Sequence, residues 1–288
     1  MPLNIHDAFT MIVPRFFSGF LILVALVACS EGSSADQSRQ QQATAMAMWK
    51  ERCKTAGEKI HKTVDNVEGI YLIKIRTTTN FDAQFELDDP YGHDSTNNEY
   101  ILNFLQGFYH QRNEKPVPGS PPRAGYRYVE AQDPQDGKRY RYTGAMKVVG
   151  RMDEAAPGVQ FDLKRNPNFD LNIYKFVLGR VPAPSEAPRY GVTYEDVSTR
   201  EERAYWIAGS SLKVIDLKTN EMIAERIGYM VDWAQGSRAG GRSPWLFAAD
   251  NACPNFNRNN PVPVPGPGFS AQAGQTIDFV EKTLKPSK

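Results

Sequence analysis

"AYWIAGSSLKVIDLKTNEMIAERIGYMVDW" spans residues 204–233 and sets the character of the folded body. Strand-forming residues gather on both sides of "KTNE", first in "AYWIAG" and "SLKVIDL", then in "MIAERIGYMVDW". Asn220 stands where a tight turn needs a positive φ, which its short amide tolerates better than most side chains. The stretch therefore predicts an antiparallel β-hairpin.

A second signal of this kind lies at 126–144, "YRYVEAQDPQDGKRYRYTG", where two alternating aromatic segments flank a "DPQDGK" turn. Its tyrosines could pair across the strands, with Arg and Lys on the wetter side. Further strands are expected near 145–150, 159–164, 171–181 and 190–197. Upstream, "NVEGIYLIKIRT" (66–77) alternates as a strand, with Tyr71, Ile73 and Ile75 on one face and Lys74 and Arg76 on the other. "FDAQFELDDPYGHD" (81–94) reads as a short strand running into a polar turn. "EYILNFLQGFYH" (99–110) fits a strand or a helix equally, because a short apolar run does not settle the period.

Two helices frame these strands. Met46, Trp49, Cys53, Ala56, Ile60 and Val64 recur every three or four residues and predict an amphipathic helix over 44–64. A shorter one is expected at 271–284, with Ile277, Val280 and Leu284 on one side. "SRAGGRSPW" (237–245) breaks the pattern, and "PNFNRNNPVPVPGPG" (254–268) is an extended proline-rich passage. The 20 prolines and 13 tyrosines of the 288 residues suit a β-rich body with long loops. The fold class expected is α+β: a mainly antiparallel β-sheet body with an N-terminal amphipathic helix and a short C-terminal helix.

The first thirty residues concern address rather than fold. The apolar run Phe16–Ala28 follows Arg15 and ends in small residues. Thirteen helical residues rise only about 20 Å, short of a hydrocarbon core of about 30 Å. This is the layout of a cleavable export signal. Leu26-Val27-Ala28-Cys29 resembles the lipobox of bacterial lipoproteins; a buried helix, or an ordinary signal with a chance cysteine, is the plainer alternative. In that family the chain is cut before the cysteine, which then carries acyl chains such as palmitate. The resemblance implies a signal peptide at 1–28, lipidation of Cys29, a flexible tether over 29–43 and a single periplasmic domain over 44–288. Met11 is a second candidate start. In enteric-type lipoproteins an aspartate after the cysteine favours the inner membrane, so Ser30 points to the outer membrane.

Of the three cysteines, assigning Cys29 to lipid leaves Cys53 and Cys253. In an oxidising compartment such a pair is expected to bond. Closing a loop of this length stabilises by roughly 5 kcal/mol. Two buried thiols are the alternative. Neither cysteine has a second ligand at zinc-site spacing, so no metal is assigned.

Net charge is +1 and survives loss of residues 1–28, which removes one Arg and one Asp. That balance argues against nucleic acid as a partner. G-x-S-x-G, G-x-G-x-x-G, phosphate-loop, H-E-x-x-H and C-x-x-C patterns are all missing, so the chain is read as non-enzymatic and without cofactor. Three segments are candidates for a site. Asp88, Asp89, His93 and Asp94 could hold a divalent cation or form an acid–base pair, although Asp-Pro-Tyr-Gly is also ordinary turn chemistry. Arg238 and Arg242 flank two glycines and could approach an anion, or belong to a loop closed by Trp245. Tyr126, Tyr128, Tyr140 and Tyr142 could anchor a protein partner, or pack into the sheet.

The function expected is that of a lipid-anchored, periplasmic protein-binding protein. Its organisation is similar to that of lipoproteins serving as immunity partners of envelope-attacking effectors, such as phospholipases delivered by type VI secretion. Two readings stand beside it: an envelope assembly or structural lipoprotein, and a ligand-binding or enzymatic domain using the 88–94 loop.

Overall fold

A computed structural model describes residues 17–77, 83–92, 95–113, 125–255 and 270–287. The chain divides into two compact units, 1–44 and 45–288. Helix α1 (Phe17–Cys53) belongs in part to each, and Cys29 falls within it. Residues 35–43, expected as flexible tether, are helical. Their Ala, Gln and Arg content lets a helix continue at little intrinsic cost. The helix also ends earlier than its apolar stripe suggests. Lys50 and Arg52 occupy its last turn, where cations suit the helix dipole. Gly57 then takes φ +148°, a conformation side chains resist. Ile60 and Val64, expected on the helix, lie instead on β1 (Gly57–Ile60) and β2 (Val64–Val67).

The chain continues through β3 (Gly69–Leu72), a 3-10 turn (Pro90–Gly92) and α2 (Asn97–Asn113). The ambiguous 99–110 run is thus helical. Strands β4 (Tyr128–Gln132) and β5 (Arg139–Arg151) form the hairpin read from the tyrosines, antiparallel with Glu130 opposite Arg141. Residues 159–164, expected as a strand, are corrected to helix α3 (Pro157–Arg165). Val159, Phe161 and Leu163 alternate as a strand would, but Pro157 favours a first helical turn. Next come β6 (Asn172–Pro182), β7 (Tyr190–Asp196) and α4 (Arg200–Ala204). Strands β8 (Ile207–Asp216) and β9 (Glu221–Val231) are the hairpin of the opening stretch, with Asn220 at φ +57°. The chain closes with α5 (Pro244–Ala248), β10 (Ala252–Cys253), α6 (Ser270–Thr283) and β11 (Leu284–Pro286).

Eight strands lie side by side in the order β1-β9-β8-β7-β3-β4-β5-β6. Most pairs are antiparallel, as expected. Strand β3 is the exception, parallel to both β4 and β7, which makes the sheet mixed. Strands β2 and β11 form a separate parallel pair. Because β3 is central, it is apolar on the face that meets the helices: Ile70 and Leu72 are fully buried with Val129, Val192, Phe104 of α2 and Phe279 of α6. The C-terminal helix buries Ile277 and Val280 as expected; Leu284, expected on the same helix, is also buried but begins β11.

On the opposite face, Ala45, Met46 and Trp49 of α1 pack over Ile207 and Val231 near one end of the hairpin. Cys53 and Cys253 are bonded across 200 residues of sequence. Strands β1 and β10 lie end to end along one edge of β9, pairing with 224–227 and 229–230. The disulfide closes the gap between them, so it staples that edge of the sheet.

Candidate functional site

The three candidate segments end in different environments. In the 88–94 loop, Asp88 stays exposed and pairs with Lys74 at 2.6 Å. Asp89 turns inward. It accepts from Arg76 at 2.7 Å and from the Ser210 hydroxyl at 2.8 Å, fully buried. The Arg76 guanidinium lies 3.9 Å from the Tyr194 ring centroid and 5.7 Å from that of Tyr100. Gly92 leaves the room: a Cβ there would meet the guanidinium at 2.1 Å. Burial pushes the Asp89 carboxyl above its ordinary range, against the pull of Arg76 and Ser210. His93 and Asp94 lie outside the described residues. Among the described residues no group of three His, Cys, Asp or Glu side chains could hold a metal ion. Asp88 and Asp89 therefore point to different places, one wet and one sealed.

The glycine loop does not gather its arginines. Arg242 donates to Asp232 at 2.6 Å and to the Ser237 carbonyl at 2.7 Å. Asp232, fully buried, also accepts from the Gly236 amide at 2.8 Å. Gly240 and Gly241 take φ +68° and +77°, which shapes the turn around this anchor. Arg238 stands before that turn, exposed. Trp245 is fully buried, closing the loop onto the core.

The tyrosine hairpin splits by face. Tyr126 is wholly buried and donates to the Leu284 carbonyl at 2.6 Å. Tyr142 is also buried in the main core, and Tyr140 packs beside it while donating to Asp136 at 2.7 Å. Tyr128 faces the other way. Its ring lies flat over Gly69, where an added Cβ would meet it at 2.3 Å. The Arg141 guanidinium covers the ring at 3.9 Å. Burial raises the Tyr128 phenol pKa, keeping it neutral.

This side of β3–β6 carries a row that the alternation alone did not reveal. Tyr71 of β3 stands opposite Glu130 of β4, Glu130 opposite Arg141 of β5, and Arg141 opposite Val181 of β6. Glu130 is fully buried beneath Arg141, which it holds at 2.8 Å, and Arg139, held at 3.1 Å. Those arginines keep 30% and 27% of their side-chain surface exposed. Arg139 reaches back to 6.0 Å from the Tyr71 ring. Two aromatic rings, two guanidinium groups and one carboxylate are thus locked side by side on an open face. The arrangement suits recognition: the carboxylate at its centre is committed to its two arginines. The signal in the sequence is the repeated Tyr-x-Tyr and Arg-x-Arg of 126–142, but which partners share a face depends on strand register.

Among the described residues no helix is long and apolar enough to cross a membrane. Comparison with known proteins assigns no family, because no family model, curated protein or solved structure matches the chain.

Proposed function

We propose that the chain is a non-enzymatic, lipid-anchored protein-binding protein that faces the periplasm from the outer membrane, held there through Cys29. The observation that carries the protein-binding part is the row Tyr71–Glu130–Arg141 with Tyr128 and Arg139 beside it. Tyrosine and arginine dominate the energetics of protein interfaces because they bring large contact area with a polar end. Locking them before binding reduces the ordering cost of association. An acyl anchor would add a second advantage by concentrating the binder where an envelope-attacking enzyme must act. In its most specific form this is an immunity protein neutralising such an effector, a type VI secretion phospholipase being one example. The envelope-assembly alternative uses the same face for a resident partner. The enzymatic alternative is weakened because Asp89, its buried carboxylate, is committed to Arg76.

The test is a photo-crosslinker placed at Tyr128 in the full-length protein, in cells with and without an effector-delivering competitor. A partner captured only under attack, and lost with Arg141→Ala, supports the immunity form. A stoichiometric partner in unchallenged cells moves the reading to envelope assembly. No arginine-dependent partner in either state overturns protein binding through this face.

A further inference from the structure

Strands β5 and β6 run beyond the helix-covered core as a two-stranded arm. They contain Arg139, Arg141, Lys147, Arg151, Lys175 and Arg180 and no carboxylate, although the whole chain carries only +1. Four of these cations are matched: Arg139 and Arg141 by Glu130, Arg180 by Asp133, and Arg151 by Glu154. Lys147 and Lys175 are different. They stand directly opposite each other across the strands, and no described carboxylate pairs with either. Like charges in that position destabilise a sheet. The fold retains an unfavourable contact that an anion would relieve.

Alternation places this lysine pair on the same face as Arg141, six residues away along β5, about 20 Å. Between them the face presents Thr143 opposite Gly179 and Ala145 opposite Val177, and Val181, opposite Arg141 itself, is 56% exposed. We infer that the open face extends along the arm and docks an acidic protein surface. Its apolar centre would cover Ala145, Val177 and Val181, and its carboxylates would meet Lys147 and Lys175. This rests on the protein-binding reading and names the chemistry of the partner. The charge pattern favours a protein over an anionic membrane. The segment joining β5 to β6 carries Asp153, Glu154, Asp162 and Asp170 against Lys164 and Arg165, four acids less two bases for a net −2. An extended anionic surface would meet it together with the arm, whereas a protein patch seated between Arg141 and the lysine pair need not reach it. A second copy is disfavoured too, since pairing two such arms brings lysine against lysine.

The experiment uses the full-length protein and a synthetic twelve-residue peptide with a Val/Thr-alternating centre and two glutamates at each end. Its control has glutamines in their place. Fluorescence anisotropy is expected to show binding of the glutamate peptide at least tenfold tighter than the control, weakening with salt. Lys175→Glu is expected to reduce that affinity at least tenfold while raising the thermal midpoint, because it sets a carboxylate opposite Lys147. A lysine pair with a purely structural role would not give this opposition of stability and binding. Equal affinity for both peptides, or undiminished binding by Lys175→Glu, overturns the proposal. So does lysine-dependent binding to phosphatidylglycerol vesicles, or lysine-dependent self-association, without peptide binding. The two readings fail separately. A crosslinked partner that needs Arg141 but ignores Lys147 and Lys175 overturns only the acidic-partner inference, whereas absence of any partner at Tyr128 removes the wider one.

Discussion

Arg76 and Arg141 keep the same company on opposite faces of one sheet. Each guanidinium lies 3.9 Å from a tyrosine ring centroid, Tyr194 for one and Tyr128 for the other. Each pairs with a carboxylate that solvent does not reach, Asp89 or Glu130. What separates them is the other side of the arginine. Arg76 retains 4% of its side-chain exposure beneath the 88–92 turn and α2, and Arg141 retains 30%. Composition therefore does not distinguish a structural anchor from a recognition surface; access does. A sealed set holds the fold together, while an open one can give its free edges to a partner at small cost in stability.

Asp89→Asn gives the largest effect if this contrast is sound. It leaves the Arg76 cation buried without its counter-charge, and breaking a buried pair from one side costs about 3–5 kcal/mol. Urea unfolding measures it. A loss below about 1 kcal/mol would mean that water reaches Arg76 after all. Gly69→Ala comes next. The new methyl meets the Tyr128 ring, so either the ring lifts away from Arg141 or the strand shifts, at about 1–3 kcal/mol. The yield of partner captured on the immobilised protein, with Tyr128 itself in place, should fall with it, since the ring no longer lies in the row. Unchanged stability and unchanged yield would show that Tyr128 is not held there.

Glu130→Gln is the direct counterpart of the Asp89 substitution and should be milder. Arg139 and Arg141 can turn to water when their carboxylate is removed, so the loss is about 1–2 kcal/mol rather than the buried-pair value. Binding should suffer more than stability, because the guanidinium groups are no longer fixed. Equal losses for Asp89→Asn and Glu130→Gln would erase the distinction between the two faces.

How much of this was legible in the sequence follows the range of each interaction. The 204–233 and 126–144 hairpins are readable because alternation and turn residues such as Asn220 are local. The disulfide follows from counting, once Cys29 is set aside. Strand β3 between two parallel neighbours is not readable, because parallel pairing leaves no turn between partners. Helix α3 imitates a strand through Val159, Phe161 and Leu163. The four tyrosines read as one group, yet Tyr126, Tyr140 and Tyr142 face the core side and Tyr128 the open side. Register and the bare backbone at Gly69 decide that division, and neither appears in residue type alone. Asp89 looks like turn chemistry, and only its approach to Arg76, thirteen residues earlier, makes it an anchor.

A third set extends the series toward full exposure and gives the smallest effect. Arg189 holds Asp216 at 2.7 Å and lies 5.3 Å from the Tyr190 ring, with 49% of its side chain exposed. Its hydrogen bond, with help from the Lys218 amide and the Lys62 charge, keeps the Asp216 carboxyl below its ordinary range. An acid whose pKa is depressed by folding stabilises above its unfolded value, about 3.9 for aspartate, and that contribution disappears as pH falls through the folded value. Asp216→Asn should therefore be slightly less stable than the parent at neutral pH. The gap should close progressively below about pH 4. Urea unfolding of both proteins from pH 7 to pH 2 checks this. A difference that stays constant throughout would assign the Asp216 effect to shape rather than charge, and would remove the exposed end of the series.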